Sequence, residues 1–350
     1  MKEIMKEIRV LTGITSSGTP HIGNYMGAIK PALLTQEHQS HHNNGQAMYF
    51  IADLHSLVKL WDPALRRQYV LEIAATWLAL GLNPKKTYFY RQSDIPEISE
   101  LAWILTTVAS KGLLNRAHAY KALVLENLNI ENKNSNLNPN QDPDHGITMG
   151  LFNYPVLMAA DILAFQAHKI PVGKDQIQHI EIARDIGARF NYLYGETFVL
   201  PEAAIDENLA LLPGLDGRKM SKSYQNTIPI FEEPKNIQKL INKIITNSQL
   251  PSEPKKTEDC VLFQLYQAFG SPEEINLLKN KYETGIGWGE IKKILAEKIS
   301  STFELARERY LFLISHPHEV EQALQEGAAR ARPLAIQTLE LVKSACGLKY

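Results

Sequence analysis

The chain has 350 residues, 44% hydrophobic and 21% charged, which suits a folded chain of two domains and excludes disordered and fibrous classes. Lys and Arg total 37 against 38 Asp and Glu, a net charge of −1, so any RNA contact must use a local patch. Two distant cysteines, a charged N-terminus without an apolar core and no 18-residue apolar run argue against a disulfide scaffold, a zinc ribbon, a secretory signal and a membrane span, and fit a reducing cytoplasm.

The predicted elements alternate over the first two-thirds. Residues 8–11 read as a strand, followed by a Gly/Ser/Thr loop over 13–18 and a helix from about Asn24. Residues 47–52 read as a buried strand, 67–80 as a helix ended by Gly81 and Pro84, 87–90 as a third strand and 96–109 as a helix. Strands alternating with helices imply crossover units and a parallel sheet. Residues 126–145, rich in Asn with Asp, Gln and prolines, read as a solvated insertion. A helix is expected over 154–165 with Pro155 in its first turn, then an extended piece over 170–173 and a helix over 175–190. From about residue 232 strand patterns fade and Lys/Glu-rich helical segments take over: 236–246, 261–268, 272–281, 291–308 and 331–345. A boundary is placed near 228. The histidines His38, His41 and His42 have loose metal-like spacing, but their neighbours Ser40, Asn43, Asn44 and Gly45 read as a turn, so no metal site is expected.

Two segments carry chemistry. The first loop reads Gly13-Ile14-Thr15-Ser16-Ser17-Gly18-Thr19-Pro20-His21-Ile22-Gly23-Asn24. Its two leading glycines have P-loop spacing, but Thr19-Pro20 stands where Lys-Ser/Thr is required, and no dinucleotide fingerprint is present. What remains is a small-residue loop entering a helix, a place that favours an anion, with His21 and Asn24 as added donors. A plain strand–helix turn capped by Asn24 fits the same residues. The second segment, Gly217-Arg218-Lys219-Met220-Ser221-Lys222-Ser223, gathers three cations and two hydroxyls. Such a loop can wrap a polyphosphate. Alone it reads equally as a solvated basic loop; the two segments together favour the functional reading.

Asp161 is the single charge in an apolar helical segment. A buried carboxylate needs partners or it neutralises, so it is either a capped or salt-bridged residue or an acceptor for a ligand donor in an apolar pocket. His55 follows the second strand at its C-terminal end, the edge where open parallel sheets bind ligands. Asp175 suits the N-cap of the helix it precedes.

A His-Ile-Gly-His-like signature after the first strand with Lys-Met-Ser-Lys-Ser some 200 residues later marks the class I aminoacyl-tRNA synthetases. This chain resembles them through His21-Ile22-Gly23-Asn24 and Lys219-Met220-Ser221-Lys222-Ser223. Four further segments are similar to the bacterial type of tryptophanyl-tRNA synthetase: Gly23-Asn24-Tyr25-Met26-Gly27-Ala28, Ala52-Asp53-Leu54-His55-Ser56-Leu57, Leu157-Met158-Ala159-Ala160-Asp161-Ile162-Leu163, and Gly173-Lys174-Asp175-Gln176-Ile177-Gln178-His179-Ile180-Glu181.

The resemblance implies an α/β fold: a Rossmann-like parallel-sheet catalytic domain over 1–228 and a smaller all-helical C-terminal domain over 229–350. It implies an ATP-dependent ligase that converts tryptophan to tryptophanyl-AMP and then esterifies tRNA. His21, Asn24, Lys219 and Lys222 would be catalytic. Thr15, Ser16, Ser17, Gly23, Lys121, Gly173, Lys174, Asp175, Leu212, Met220, Ser221 and Ser223 would join Asn24, Lys219 and Lys222 around ATP. Asp161 would accept the indole N–H, beside His55, Met158, Ile170, Val172 and Gln176, with Gln176 reaching the amino-acid ammonium or carboxylate. Core packing fits Met158, Ile170 and Val172 as well. Mg²⁺ would arrive with ATP, and the partners would be tRNA and a second copy of the chain in a cytoplasmic homodimer. Lys255, Lys256, Lys292, Lys293, Arg330 and Arg332 offer a tRNA surface, although solvated helix faces account for them equally.

The chain departs from the general pattern in three places. Asn24 replaces the second histidine, as is common in the tryptophan enzymes. Thr15-Ser16-Ser17 stands where many relatives have Gln-Pro-Ser, which puts contacts by the Thr15 side chain in doubt. Residues 211–216 differ from the commoner run before the lysine loop. Tyrosyl-tRNA synthetase, a small-molecule adenylyltransferase and a non-catalytic paralogue are the rival readings.

Overall fold

The structure, a computed structural model, describes residues 8–16, 18–42, 45–133, 142–173, 176–204 and 212–349. Five strands, β1 (Ile8–Thr15), β2 (Gly45–Ala52), β3 (Tyr88–Arg91), β4 (Lys169–Pro171) and β5 (Glu202–Ala204), form one sheet in the order β3-β2-β1-β4-β5. Every pairing is parallel, and β1 and β2 run in register from Ile8↔Gly45 to Thr15↔Ala52. The strand order reverses between β1 and its two neighbours, which opens a crevice at the C-terminal ends of β1 and β4. This is the expected Rossmann-like arrangement. β5 is not foreseen from sequence, because Glu202-Ala203-Ala204 has no apolar run and takes its strand conformation from pairing with β4.

Alternation along β2 sorts its side chains to the two faces. Tyr49 and Ile51 enter one apolar cluster with Trp77 and Phe89. Met48 and Phe50 enter the other with Leu11, Tyr90 and Phe165.

Between β1 and β2 lie α1 (Ile22–Asn24), a π-helical turn over Tyr25–Ile29, and α2 (Lys30–His42). Ser40, expected in a turn with Asn43, Asn44 and Gly45, is helical along with His38, His41 and His42, and Gly45 opens β2; Asn43 and Asn44 lie outside the described residues. Between β2 and β3 lie α3 (Asp53–Ser56) and α4 (Pro63–Ala79), the latter capped by Asp62, whose carboxylate accepts from the N–H groups of Ala64 and Leu65. After β3 come α5 (Glu97–Val108), α6 (Lys111–Leu114), α7 (His118–Lys133) and α8 (Met149–Leu163). The expected insertion at 126–145 begins too early. α7 continues to Lys133, since its Leu, Ile, Glu and Lys residues sustain a helix despite the interleaved asparagines. Residues 134–141 lie outside the described residues. α8 starts five residues before Tyr154, capped by Thr148, so Pro155 sits inside the helix rather than in its first turn.

After β4, α9 (Ile177–Tyr194) covers one sheet face, and then the chain crosses to the lysine-rich loop. The remainder is helical: α10 (Pro234–Asn242), α11 (Val261–Gln267), α12 (Pro272–Thr284), α13 (Trp288–Thr302), α14 (Glu304–Ser315) and α15 (Pro317–Ala345). The single helix expected over 291–308 breaks at the buried Phe303, and α15 is far longer than its expected 331–345 segment. α15 also returns to the sheet. A Cβ on Gly327 would stand 1.7 Å from the Phe89 carbonyl oxygen, so only glycine lets this helix lie against β3. Among the described residues no helix is long and apolar enough to cross a membrane.

Candidate active site

The C-terminal ends of the strands open into a cavity of about 1320 Å³. That is large for a single small ligand and fits an amino acid together with a nucleotide. Its walls include Thr15, His55, Met158, Asp161, Ile170, Val172, Gly173, Gln176 and Lys222. Nine of the residues singled out in the sequence thus share one cavity.

At the deep end stands Asp161, 1% exposed. Its Oδ1 accepts from Gln92 Nε2 at 2.7 Å, and its Oδ2 accepts from His55 Nε2 at 2.8 Å. Burial pushes its carboxyl above the usual carboxylate range, and the bonds from His55 and Gln92 oppose that shift. A carboxylate oxygen has room for a second donor, so the pair of bonds orients Asp161 without exhausting it. Tyr90 lies behind it, buried among Phe50 and Phe165, its phenol pushed well up by burial and by the Asp161 charge. Nearer the mouth, His179 joins Tyr154 and Gln176: Tyr154 Oη lies 2.5 Å from Nε2, and Gln176 Oε1 lies 2.8 Å from Nδ1.

The other half of the site is built where the two charged loops meet. The segment 20–22 pairs with 228–230: Ile22 N–H donates to the Ile228 carbonyl at 2.9 Å and Ile230 N–H to the Pro20 carbonyl at 3.2 Å. This brings the lysine loop over the first loop. Lys222 Nζ donates to the Gly18 carbonyl at 2.6 Å, and Gly18 has φ of +77°, a conformation glycine adopts without strain. Burial lowers the Lys222 pKa to about 8, against an opposing effect of Glu72. His21 is buried, and its pKa falls to about 4 through burial and then through the Lys222 charge, so it is neutral at pH 7. Asn24 Oδ1 accepts from the His21 backbone N–H at 3.1 Å, which fixes the start of α1. Gly23 leaves no space for a side chain between the His21 ring and Met220. Ser16 Oγ and His21 Nδ1 are buried with no hydrogen-bond partner among the described residues.

The remaining sequence candidates lie elsewhere. Met220 and Leu212 are buried beneath the lysine loop, and Lys219 is exposed on it. Ser221 Oγ and Ser223 Oγ are 2.8 Å apart on the same loop. Lys121 is an exposed residue of α7 and is absent from the cavity walls. Ser17, Lys174 and Asp175 lie outside the described residues. The expected cationic surface is largely spent on the fold: Lys255 is buried with Nζ donating to the carbonyls of Leu250 and Glu253, Lys292 donates to the carbonyls of Asn242 and Ile244, Arg330 to those of Pro84 and Thr87, and Arg332 pairs with Glu97.

Four residues of this geometry are missed by sequence reasoning. Gln92 follows β3 at the strand edge where ligands bind, a position that would have marked it. Tyr154 precedes Met158 by four and Asp161 by seven, the spacing of one helix face. His179 lies three residues after Gln176. Asn226 has no local signature. It is buried, donates to Asp216 Oδ1 at 2.7 Å and to the Lys219 carbonyl at 3.1 Å, and accepts from the Ser221 N–H at 2.8 Å.

The sequence profile of the family described as tRNA synthetases class I (W and Y) matches residues 2–304. The chain belongs to this family. The synthetase is 53% identical over 344 residues to a tryptophan–tRNA ligase of Pseudomonas aeruginosa, covering 97% of this chain and 74% of that one. It is 50% identical over 345 residues to a tryptophan–tRNA ligase of Neisseria meningitidis, covering 99% of both. Its fold matches a tryptophanyl-tRNA synthetase of Campylobacter jejuni, solved with ADP and tryptophan, with a TM-score of 0.86 and 42% identity over 97% of this chain and all of that one. The synthetase therefore has the class I Rossmann-like sheet and a helical C-terminal region.

Proposed function

We propose that the chain charges tRNA with tryptophan. It is an ATP-dependent aminoacyl-tRNA ligase, and relatives of about 50% identity over nearly its whole length are tryptophan–tRNA ligases. The tryptophan carboxylate attacks the α-phosphorus of ATP, the bond to the bridging oxygen breaks, and tryptophanyl-AMP and pyrophosphate form. A hydroxyl at the 3′ end of the tRNA then attacks the activated carbonyl and releases AMP.

The observation that carries the substrate assignment is Asp161. It is a buried acceptor, pre-oriented by His55 and Gln92, at the floor of a cavity lined by Met158, Ile170 and Val172. We read it as the acceptor for the indole N–H. A hydrogen bond to a charged acceptor contributes about 1.5–3 kcal/mol, and a ligand lacking that donor leaves the site's polar groups unpaired. A phenol would present its hydroxyl to the same carboxylate. Tyrosine activation is therefore the reading to test against.

The phosphate side is assigned to the first loop and the lysine loop. Phosphoryl transfer asks for positioning and charge neutralisation rather than covalent help. Lys222 is already held at Gly18, beside the buried Ser16 hydroxyl and the neutral His21 ring. Those two groups fit phosphate oxygens as donors. We assign Lys222 and His21 to the departing pyrophosphate, with Lys219 joining from the exposed side. Asn24 offers only its Nδ2, since Oδ1 caps α1. Thr15 and Gly173 line the same end, and Mg²⁺ enters as part of the ATP substrate.

The division at 228 is kept as a catalytic and a tRNA-facing unit, in a cytoplasmic homodimer. Leu57, Trp61 and Met149 are large apolar side chains left exposed, of the kind a two-fold contact would cover. ATP–pyrophosphate exchange with each of the twenty amino acids, without tRNA, tests the assignment. Exchange driven by tryptophan alone is expected, and exchange driven by tyrosine would overturn the Asp161 argument.

A further inference from the structure

This inference rests on the reading of Asp161 as the acceptor for the indole N–H. Asp161 is aimed by two donors from different strands: His55 on α3, which follows β2, and Gln92, which follows β3 and is fully buried. The ladder between those strands ends at Ile51↔Arg91, one residue short of Gln92. Beyond that pair, the relation of the two donors depends on other bonds.

Asp53 supplies them. Its Oδ1 accepts from the Ser93 N–H at 3.0 Å and from the Leu54 N–H at 3.0 Å, and its Oδ2 accepts from Ser93 Oγ at 2.5 Å. Both oxygens thus join α3 to the turn after β3. The Ser93 N–H belongs to the peptide unit that follows Gln92, so gripping it fixes the backbone from which the Gln92 side chain departs. The Leu54 N–H also donates to Gln92 Oε1 at 3.1 Å. A backbone N–H only donates, so this contact turns the Gln92 carbonyl oxygen toward α3 and its NH₂ group toward Asp161 Oδ1. The same short helix carries His55 two residues past Asp53. Asp53 itself is absent from the cavity walls, which include His55 and Asp161.

We infer that Asp53 is a positioning residue for amino-acid selection: through Ser93 and Leu54 it locks Gln92 and His55 into one frame, and that frame sets the direction in which Asp161 meets the indole N–H. A hydrogen bond weakens steeply as its angle closes, so the frame matters to a ligand that makes this bond and little to one that does not. Burial, and to a lesser degree the Asp53 charge, pushes the Asp161 carboxyl up. Charge and bonds are therefore separate routes from Asp53 to Asp161.

The test compares tryptophan with β-(3-benzothienyl)alanine, in which sulfur replaces the indole N–H and the rest of the ligand is kept. Dissociation constants for both, and for ATP, are read by calorimetry. Asp53→Ala should weaken tryptophan about fivefold or more, while the sulfur analogue and ATP stay within about twofold. Asp53→Asn keeps an oxygen for the two N–H groups and an NH₂ for the Ser93 hydroxyl, and should restore most of the preference for tryptophan. Ser93→Ala removes only the hydroxyl bond and should give a smaller loss, about two- to threefold, again confined to tryptophan; it decides the matter should Asp53→Ala not fold. Parallel weakening of tryptophan and the sulfur analogue would reduce Asp53 to a support of the fold and overturn the inference. A loss in Asp53→Asn as large as in Asp53→Ala would make the charge the operative feature and overturn it too. Equal binding of the two ligands by the unaltered protein would instead sink the reading of Asp161 beneath it.

Discussion

A carboxylate taken out of water loses several kcal/mol of solvation unless donors replace it, and Asp161 has two, one on each oxygen. That arrangement leaves an oriented acceptor ready in an apolar cavity. Asp161→Ala should raise the KM for tryptophan roughly ten- to hundredfold while ATP binding measured by calorimetry changes less than about threefold, since the loops proposed for the triphosphate are separate from it. Tight tryptophan binding by that variant would remove Asp161 from the pocket. Lys222 makes a prediction of opposite kind. Its folded pKa is lowered to about 8, so above that pH it loses the charge that would meet phosphate. The KM for ATP should rise as pH climbs through about 8, and Lys222→Arg should flatten that rise, because guanidinium stays charged. Lys222→Ala should lower the activation rate roughly a hundredfold while tryptophan affinity, read by equilibrium binding, is nearly unchanged.

At the scale of the element, the lysine loop is ordered by a single buried side chain. Asn226 ties Asp216, Lys219 and Ser221 together, and Gly214 packs so closely on it that a Cβ there would stand 2.2 Å from its Nδ2. Asn226→Ala leaves those groups without their partner. Activation should fall about tenfold or more through a raised KM for ATP, and stability should fall by about 1–3 kcal/mol, because buried groups lose their partner; an unchanged KM would show that the loop orders itself. The same element shows what the sequence could and could not reveal. Lys219 to Ser223 is a contiguous motif, and the alternation of Tyr49 and Ile51 against Met48 and Phe50 marks β2 as a strand buried on both faces. Asp161 is legible because a charge in an apolar helix is conspicuous. Gln92, His179 and Asn226 are polar residues whose roles come from partners distant in sequence or across a loop, and an isolated Asn or Gln carries no local pattern. β5 and the early part of the supposed insertion fail for different reasons: the strand takes its conformation from pairing with β4, and the helix formers of α7 outweigh the asparagines among them.

Across the whole molecule the helical C-terminal region is not a separate bead. α15 lies along β3, and Arg91 at the end of that strand binds Glu321 of α15 through both Nη atoms, at 3.0 and 2.8 Å, while also pairing with Asp94. The next residue is Gln92, which holds Asp161. The helix that closes the chain thus braces the strand that leads to the floor of the cavity. Gly327 is the tightest point of that contact, where an added methyl would meet the Phe89 backbone and not a side chain able to move aside. Gly327→Ala should therefore destabilise the protein by about 1–3 kcal/mol or more, read by chemical denaturation, although alanine is the better helix former. Gly289, in α13, has nothing within 4 Å of its added Cβ, so Gly289→Ala is the control and should be neutral or mildly stabilising. Because β3 leads directly into Gln92, Gly327→Ala should also raise the KM for tryptophan more than that for ATP. Equal changes in the two constants would mean that α15 supports the fold as a whole and not the cavity floor around Asp161 in particular.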